Sequence, residues 1–379
     1  MSQVPSINLD NLKIARENVG LSTLEASKKV TTSKKDVVAG WESGGSLPTW
    51  SQIIKIAKTY NVSELLLLSE TKIEKNKIIP DYRVGLNGGG GNEKVKKLIN
   101  TVITRQRWLA EKYREEGWQK NQLQGSGKYI DNPAKLAQFI IDKLELNLED
   151  IKRISGSNSR KETLNYLIHK IENKNIFVGK TFSYNALEVE ELRGLFVSHD
   201  YCPFIVLNRR DALSAQIFSL IHEVAHLFRK TDSISNSLEF RTTSNHIDAE
   251  EVFCNKVAAE LLLPKKDFIK TSYNREDIKV ISSQYKVSEI FIFYRLLELD
   301  KIESNLKQAL ERQIQADTAK SIKEKEEKHK ARESGGNYTN NMKDTNGGLF
   351  NRVVGELYLE NKISYTEASN ALKFNPEAI

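Results

Sequence analysis

The sequence of 379 residues is poor in cysteine and has no long apolar run. Its two cysteines, Cys202 and Cys254, argue against a disulfide framework and favour a reducing compartment. No stretch approaches the roughly 18 consecutive apolar residues of a membrane-spanning helix, so no membrane partner is expected. Residues 1–10 lack a basic segment followed by an apolar one, so a secretory signal is not expected either. These absences predict a soluble, cytoplasmic protein.

The formal net charge of +7 is unevenly distributed along the chain. Residues 1–70 contain 8 lysines and arginines against 7 aspartates and glutamates, whereas residues 71–185 contain 22 against 13. A basic middle region would suit nucleic acid or an acidic protein partner. A lysine-rich helical surface in contact with solvent explains the same composition, so charge alone identifies no partner.

Short helices separated by turn residues are predicted between residues 9 and 68. Four of them follow a residue that favours the N-cap position: Ser22, Ser33, Thr49 and Ser63. The helices are too short to be stable alone and must share one core. The pattern therefore predicts an all-α N-terminal bundle.

Two short apolar runs later in the chain are typical of buried strands. These are Ile176–Val178 and Phe204–Leu207. A long helical pattern follows from Ala212 to Phe228, and a second one runs from Asp248 to Leu263 before Pro264 ends it. Helical patterns dominate the rest of the chain, so the fold class is predicted to be mainly α with a small β-sheet (α+β).

A five-residue motif, His222-Glu223-Val224-Ala225-His226, lies within the first of these long helices. Histidines four residues apart project from one face of a helix, and two neutral imidazoles so placed form half of a zinc (Zn2+) site. Glu223 lies beside the same face and is placed to accept a proton from an attacking water rather than to bind the metal. The spacing therefore predicts a zinc hydrolase site.

A catalytic zinc site needs a third protein ligand, and the second long helix offers one. Glu251 is favoured because it falls on the stripe of that helix which faces the core. Glu250 lies about 100° away around the helix, and His246 and Asp248 precede it. These three residues remain alternatives to Glu251.

Two other interpretations of the histidine pair have to be weighed. The histidines could pack or pair with acids in the core without binding any metal. They could also form a zinc site with a purely structural role. The glutamate between them argues against a structural site, because such sites favour closed sets of cysteine and histidine.

The segments around the motif resemble the ImmA/IrrE metallopeptidase family. The similarity lies in FIVLNRRDALSAQIFSLIHEVAHLF (Phe204–Phe228) and EEVFCNKVAAELLLP (Glu250–Pro264). In that family a strand, a helix with HExxH and a helix with E-x-x-A-N-x-F-A-A form the site. The resemblance implies that His222, His226 and Glu251 bind zinc and that Glu223 is the catalytic base.

Residues 9–68 resemble the XRE-type helix-turn-helix of phage repressors. The similarity lies in LSTLEASKKVTTSKKDVVAGWESGGSLPTW (Leu21–Trp50). It implies that Lys34–Gly40 belong to a recognition helix that enters the major groove of double-stranded DNA. The residues expected to contact DNA are Thr23, Ser33, Lys34 and Lys35. A module of this type used only for protein docking is the alternative.

Together the resemblances imply a peptidase that cleaves a regulatory protein, such as a repressor, in a stress, prophage or mobile-element response. The alternative is a DNA-binding regulator whose zinc domain senses or scaffolds without cleaving. Because XRE-type modules often act as dimers, a homodimer is among the expectations. The predicted divisions are a helix-turn-helix (1–70), a basic linker and connecting helix (71–131), a metallopeptidase domain (132–300), a charged helix or linker (301–335) and a C-terminal helical segment (336–379).

Overall fold

A computed structural model describes most of the chain. The described residues are 7–19, 21–31, 35–60, 62, 64–69, 72, 93–182, 187–189, 191–231, 233–235, 249–330 and 337–379, with backbone alone at 93, 233–235 and 321–330. Across these ranges, no helix combines the length and apolarity needed to cross a membrane. The chain divides into two compact units, Met1–Glu111 and Lys112–Ile379.

The first unit contains a bundle of short helices. They are α1 (Leu9–Asn18), α2 (Thr23–Val30), α3 (Val37–Glu42), α4 (Trp50–Tyr60) and α5 (Glu64–Leu68), and α6 (Glu93–Glu115) runs across the division. Leu12, Trp41, Ile53 and Leu67 belong to one buried cluster that all five short helices share. Burial of this common core explains how helices of five to eleven residues persist.

The third helix begins later than the sequence predicts. Asp36, not Ser33, is its N-cap, and the Asp36 carboxylate accepts a hydrogen bond from the Ala39 amide at 3.1 Å. Hydroxyl groups of α2 donate to the same carboxylate, from Thr23 at 2.6 Å and from Ser27 at 3.0 Å. These contacts from another helix favour Asp36 as the N-cap, although Ser33 is an equally suitable N-cap residue by type. Ser33 itself lies outside the described residues.

The second unit is built from helices around a small sheet. Its helices are α7 (Pro133–Leu144), α8 (Leu148–Arg153), α9 (Ser159–Glu172), α10 (Leu213–Arg229), α11 (Ala249–Leu262), α12 (Arg275–Tyr285), α13 (Glu289–Glu298), α14 (Lys307–Lys330), α15 (Tyr338–Asn346), α16 (Gly348–Leu359) and α17 (Tyr365–Leu372). Its strands are β1 (Phe177–Lys180), β2 (Gly194–Val197), β3 (Phe204–Leu207) and β4 (Ser233–Ser235). The predicted fold class, mainly α with a small β-sheet, is confirmed.

The strands lie in the order β1-β3-β2-β4. Strand β3 is parallel to β1 and antiparallel to β2, and β2 is antiparallel to β4. In the register Phe177 pairs with Phe204 and Val178 with Ile205. Because side chains alternate between the faces of a sheet, the two phenylalanines share one face and the two aliphatic residues share the other.

Both faces of this sheet are covered by helices. Val178 and Ile205 belong to the large core that also contains the apolar residues of α10 and α11. On the opposite face the Phe177 and Phe204 rings stack 4.8 Å apart, and the Phe350 ring of α16 meets each at a steep angle. The continuous apolar runs of β1 and β3 follow from this double burial.

The C-terminal helices are joined to the rest of the second unit by a buried carboxylate. Helix α16 begins after Gly347 without a capping side chain of its own. Glu172, at the end of α9, accepts a hydrogen bond from the Leu349 amide at 3.0 Å and so takes the place of the cap. Burial raises the pKa of Glu172, although the hydrogen bond from the Leu349 amide opposes this shift.

Candidate metal centre

Helix α10 (Leu213–Arg229) carries both histidines of the motif through the middle of the core. Every residue from Ala215 to Phe228 is buried, so the helix is enclosed on all sides. His222 and His226 are 3% and 2% exposed, which leaves their imidazoles few alternative orientations. The helix ends where Lys230 adopts a left-handed backbone conformation.

The structure brings the three predicted ligands together. The Nε2 atoms of His222 and His226 lie 3.0 Å apart. One carboxylate oxygen of Glu251 lies 3.1 Å from the first of these atoms, and the other oxygen lies 3.1 Å from the second. Among the residues that the structure describes, these three form the group of side chains able to hold a metal ion.

The alternatives for the third ligand have different positions. Glu250 points to Arg229, whose Nε and Nη2 atoms donate to its two carboxylate oxygens at 2.8 and 3.2 Å. His246 and Asp248 lie outside the described residues. Of the two described candidates on α11, Glu251 is the one whose carboxylate reaches both histidines.

Glu223, the predicted base, is fully buried beside His222. The first residue of β2, Gly194, faces it so closely that a Cβ atom there would lie 2.5 Å from Glu223 Oε1. The start of β2 is held in place by Asn208, whose Nδ2 donates to the Leu192 carbonyl at 2.7 Å. Gly194 therefore provides the space for this carboxylate, and the sequence pattern gives no signal for that role because no strand is predicted at residues 194–197.

Thr231 is a second residue of the site for which the sequence pattern gives no signal. Its Oγ1 lies 2.9 Å from His226 Nδ1. When Nδ1 donates to this hydroxyl, Nε2 keeps its lone pair and faces Glu251 and the other histidine. Thr231 follows the end of α10, where its amide also donates to the His226 carbonyl at 3.1 Å.

The electrostatics of the site favour an ionised third ligand. Burial alone would raise the pKa of Glu251, but hydrogen bonds and charge interactions with the two histidines hold it well below its usual range. Burial also opposes a charge on His222, yet the bond to Glu251 and the nearby Glu223 raise its pKa. A proton and a cation therefore compete for the His222 nitrogen.

The donor set fits a zinc ion. Zinc takes histidine nitrogen and carboxylate oxygen at about 2.0–2.2 Å, which places the donors of a tetrahedral site roughly 3.4 Å apart. The observed separations of 3.0–3.1 Å are close to that spacing. When both imidazoles are neutral, their Nε2 lone pairs and the Glu251 carboxylate meet at one point, and a cation there is stabilised by all three groups.

The residues expected to contact DNA are not all placed by the structure. Thr23 opens α2, and its hydroxyl donates to Asp36. Lys35 is exposed and precedes α3 rather than belonging to it. Ser33 and Lys34 lie outside the described residues.

Residues 179–297 match the family model of peptidase family M78, described as the IrrE N-terminal-like domain. No curated protein matches the chain. The matched range contains the histidine pair, Glu223 and Glu251, and it supports a metallopeptidase domain of ImmA/IrrE type at these residues. The N-terminal bundle lies outside the match, so the helix-turn-helix stays a prediction.

Proposed function

We propose that this protein is a zinc-dependent endopeptidase, with His222, His226 and Glu251 as metal ligands and Glu223 as general base. The supporting observation is the convergence of three donor groups beside a buried glutamate. It occurs within the range that matches a peptidase family. Pairing of the histidines with Glu251 alone would explain those two contacts, but it would not explain the second glutamate, Glu223, which is fully buried beside them.

The chemistry of the site divides among its side chains. A bound zinc ion would supply Lewis acidity, which lowers the pKa of water and polarises a peptide carbonyl. Glu223 takes a proton from the attacking water at its carboxylate, as a new C–O bond forms at the carbonyl carbon. It then passes that proton to the amide nitrogen as the C–N bond breaks, which releases a carboxylate and an amine. The buried walls of α10 and β2 exclude other water from Glu223.

Removal of the metal tests this proposal directly. We expect the full chain, treated with a chelator and desalted, to lose cleavage of a peptide library and to regain it with zinc. Magnesium should not restore cleavage, because two imidazole donors favour zinc and magnesium prefers oxygen. Full cleavage by the metal-free protein would contradict the proposal.

The substrate that we propose is a regulatory protein, such as a repressor, in the cytoplasm. The proposal rests on the ImmA/IrrE resemblance and on the likeness of residues 9–68 to repressor helix-turn-helix modules. Cys202 and Cys254 are both buried and form no disulfide bond, which is compatible with a reducing compartment. A repressor and unfolded casein, compared as substrates, would separate a specific from a general peptidase.

We further propose that the N-terminal unit binds double-stranded DNA and thereby localises the peptidase. Of the two lysines expected to contact DNA, Lys35 is the one that the structure describes, and it is the candidate for a phosphate contact. We expect Lys35→Glu to weaken binding to DNA of any sequence. The slope of log K against log salt concentration should become about one unit shallower. Lys58→Glu, on an exposed position near the end of α4, makes the same charge change as a control. Equal effects of the two variants would contradict a contact at Lys35.

A further inference from the structure

The side chain of Arg229 bridges the two helices that carry the metal ligands, α10 and α11. We infer that Arg229 is a positioning residue for Glu251. It is the last residue of α10, three residues after His226. Its partner Glu250 comes directly before Glu251 on α11. The inference deepens the proposed function and rests on its metal site.

The side chain of Arg229 is fully engaged. Its guanidinium forms a two-bond fork with Glu250, at 2.8 and 3.2 Å, and its central carbon lies 4.7 Å from the centre of the Phe253 ring. Nη1 donates to the Lys128 carbonyl at 2.7 Å and lies 3.2 Å from an Asp131 oxygen. The side chain is 15% exposed. Arg229 therefore joins the end of α10 to the start of α11 and to the segment before α7.

The covalent connection between the two helices does not supply this constraint. Nineteen residues, 230–248, separate Arg229 from Ala249. Strand β4 pairs the first part of this connection with β2, but the thirteen residues from 236 to 248 are too many to determine the position of α11 by their length alone. The buried apolar face of α11 holds the helix in the core, and contacts near the ligands add to it in keeping Glu251 facing the histidines.

The contacts of Arg229 constrain the rotation of α11 about its own axis. Glu250 and Phe253 are three residues apart, so Arg229 contacts successive turns of the helix. A rotation of about 20° would move a side-chain tip, roughly 6 Å from the axis, by about 2 Å. Metal–ligand distances tolerate changes of only about 0.2 Å. A fork of two parallel hydrogen bonds is suited to this task because its plane and direction are both defined.

Arg229 also determines which of two adjacent carboxylates serves the metal. Glu250 and Glu251 are neighbours, and both are ligand candidates on sequence grounds. The fork pairs the Glu250 carboxylate with the guanidinium of Arg229. The Glu251 carboxylate contacts the two histidines instead. Loss of Arg229 would remove this fork from a second carboxylate beside the site.

Arg275 provides a matched control for a merely structural role. Its side chain is also 15% exposed, and it contacts the carboxylates of Glu289 and Asp317 at 2.5 and 2.8 Å. It lies at the start of α12, and neither carboxylate is a proposed ligand. Loss of Arg275 removes an ion-pair network of similar burial and size from the same unit.

Cobalt(II) affinity of the full chain tests the inference, measured by competition with a chromophoric chelator alongside the thermal midpoint. We expect Arg229→Gln and Glu250→Gln each to weaken cobalt binding by about 10–100-fold, as is usual for residues that orient a ligand. Arg229→Lys should be intermediate, because lysine keeps the charge but cannot form the fork. Arg275→Gln should lower the thermal midpoint but leave cobalt affinity unchanged.

The outcomes separate this inference from the proposed function. Wild-type affinity in both Arg229→Gln and Glu250→Gln, or an equal loss of affinity in Arg275→Gln, would overturn the positioning role and leave the peptidase proposal standing. Should Arg229→Gln fail to fold, Glu250→Gln decides the question, because its substitution is isosteric. A wild-type chain that binds cobalt but cleaves nothing would overturn the peptidase alone. A chain that binds no cobalt would overturn both.

Discussion

Replacing Glu223 with glutamine is expected to abolish peptide cleavage while the protein keeps its metal. Glutamine has the shape of glutamate but cannot accept a proton near neutral pH. A positioned general base contributes about 10²–10⁴-fold to a reaction rate, so kcat should fall by at least about 100-fold. Zinc content should be unchanged, because Glu223 is not one of the three converging donors.

The control for this variant is Glu260→Gln, on α11. Glu260 pairs with Arg295 and lies apart from the donor group, so the same chemical change there should leave kcat near the wild-type value. Cleavage of the peptide library and zinc content by atomic absorption would be measured for both variants. Wild-type kcat in Glu223→Gln would exclude Glu223 as the base.

Replacing Glu251 with alanine is expected to produce the largest loss of metal affinity. The substitution removes one of three donors, so cobalt binding should weaken by more than about 100-fold, beyond the usual range for residues that act through a ligand. Cleavage should be lost with the metal. The thermal midpoint should be measured beside the affinity, because the substitution also removes the contacts of Glu251 to two buried histidines.

The glutamates of α11 form a graded series for this measurement. Glu250→Ala removes the partner of Arg229 and should weaken cobalt binding by about 10–100-fold. Glu260→Ala removes one of the two carboxylate partners of Arg295, near the other end of the helix, and should have no effect on binding. If Glu250→Ala lost more affinity than Glu251→Ala, the third ligand would be Glu250.

Local patterns were sufficient for the helices that carry the site. The apolar spacing around His222 and His226 predicts a helix with both imidazoles on one face, because a helix brings residues four apart together whatever surrounds it. The strands Phe204–Leu207 and Ile176–Val178 were recognised within two residues of their observed ends. Strands β2 and β4 were not predicted, because three or four residues are too few to show a period.

Competition between nearby groups was settled by tertiary contacts. Ser33 and Asp36 are both good N-cap residues, and the hydroxyls of α2 select Asp36. Glu250 and Glu251 are both plausible ligands, and Arg229 engages Glu250. Sequence periodicity distinguishes the two residues of each pair only by the direction in which each points from its helix. The side chain that decides between them comes from another helix.

The sequence by itself determined the motif, its helix and the mainly α fold class, because each depends on the spacing of residues close together in the chain. Only the tertiary structure decided what surrounds them. Gly194 lies opposite Glu223, and the Phe350 ring packs against Phe204, which comes 146 residues earlier in the chain. These contacts depend on long-range packing, because an apolar surface can be buried by any complementary segment of the chain.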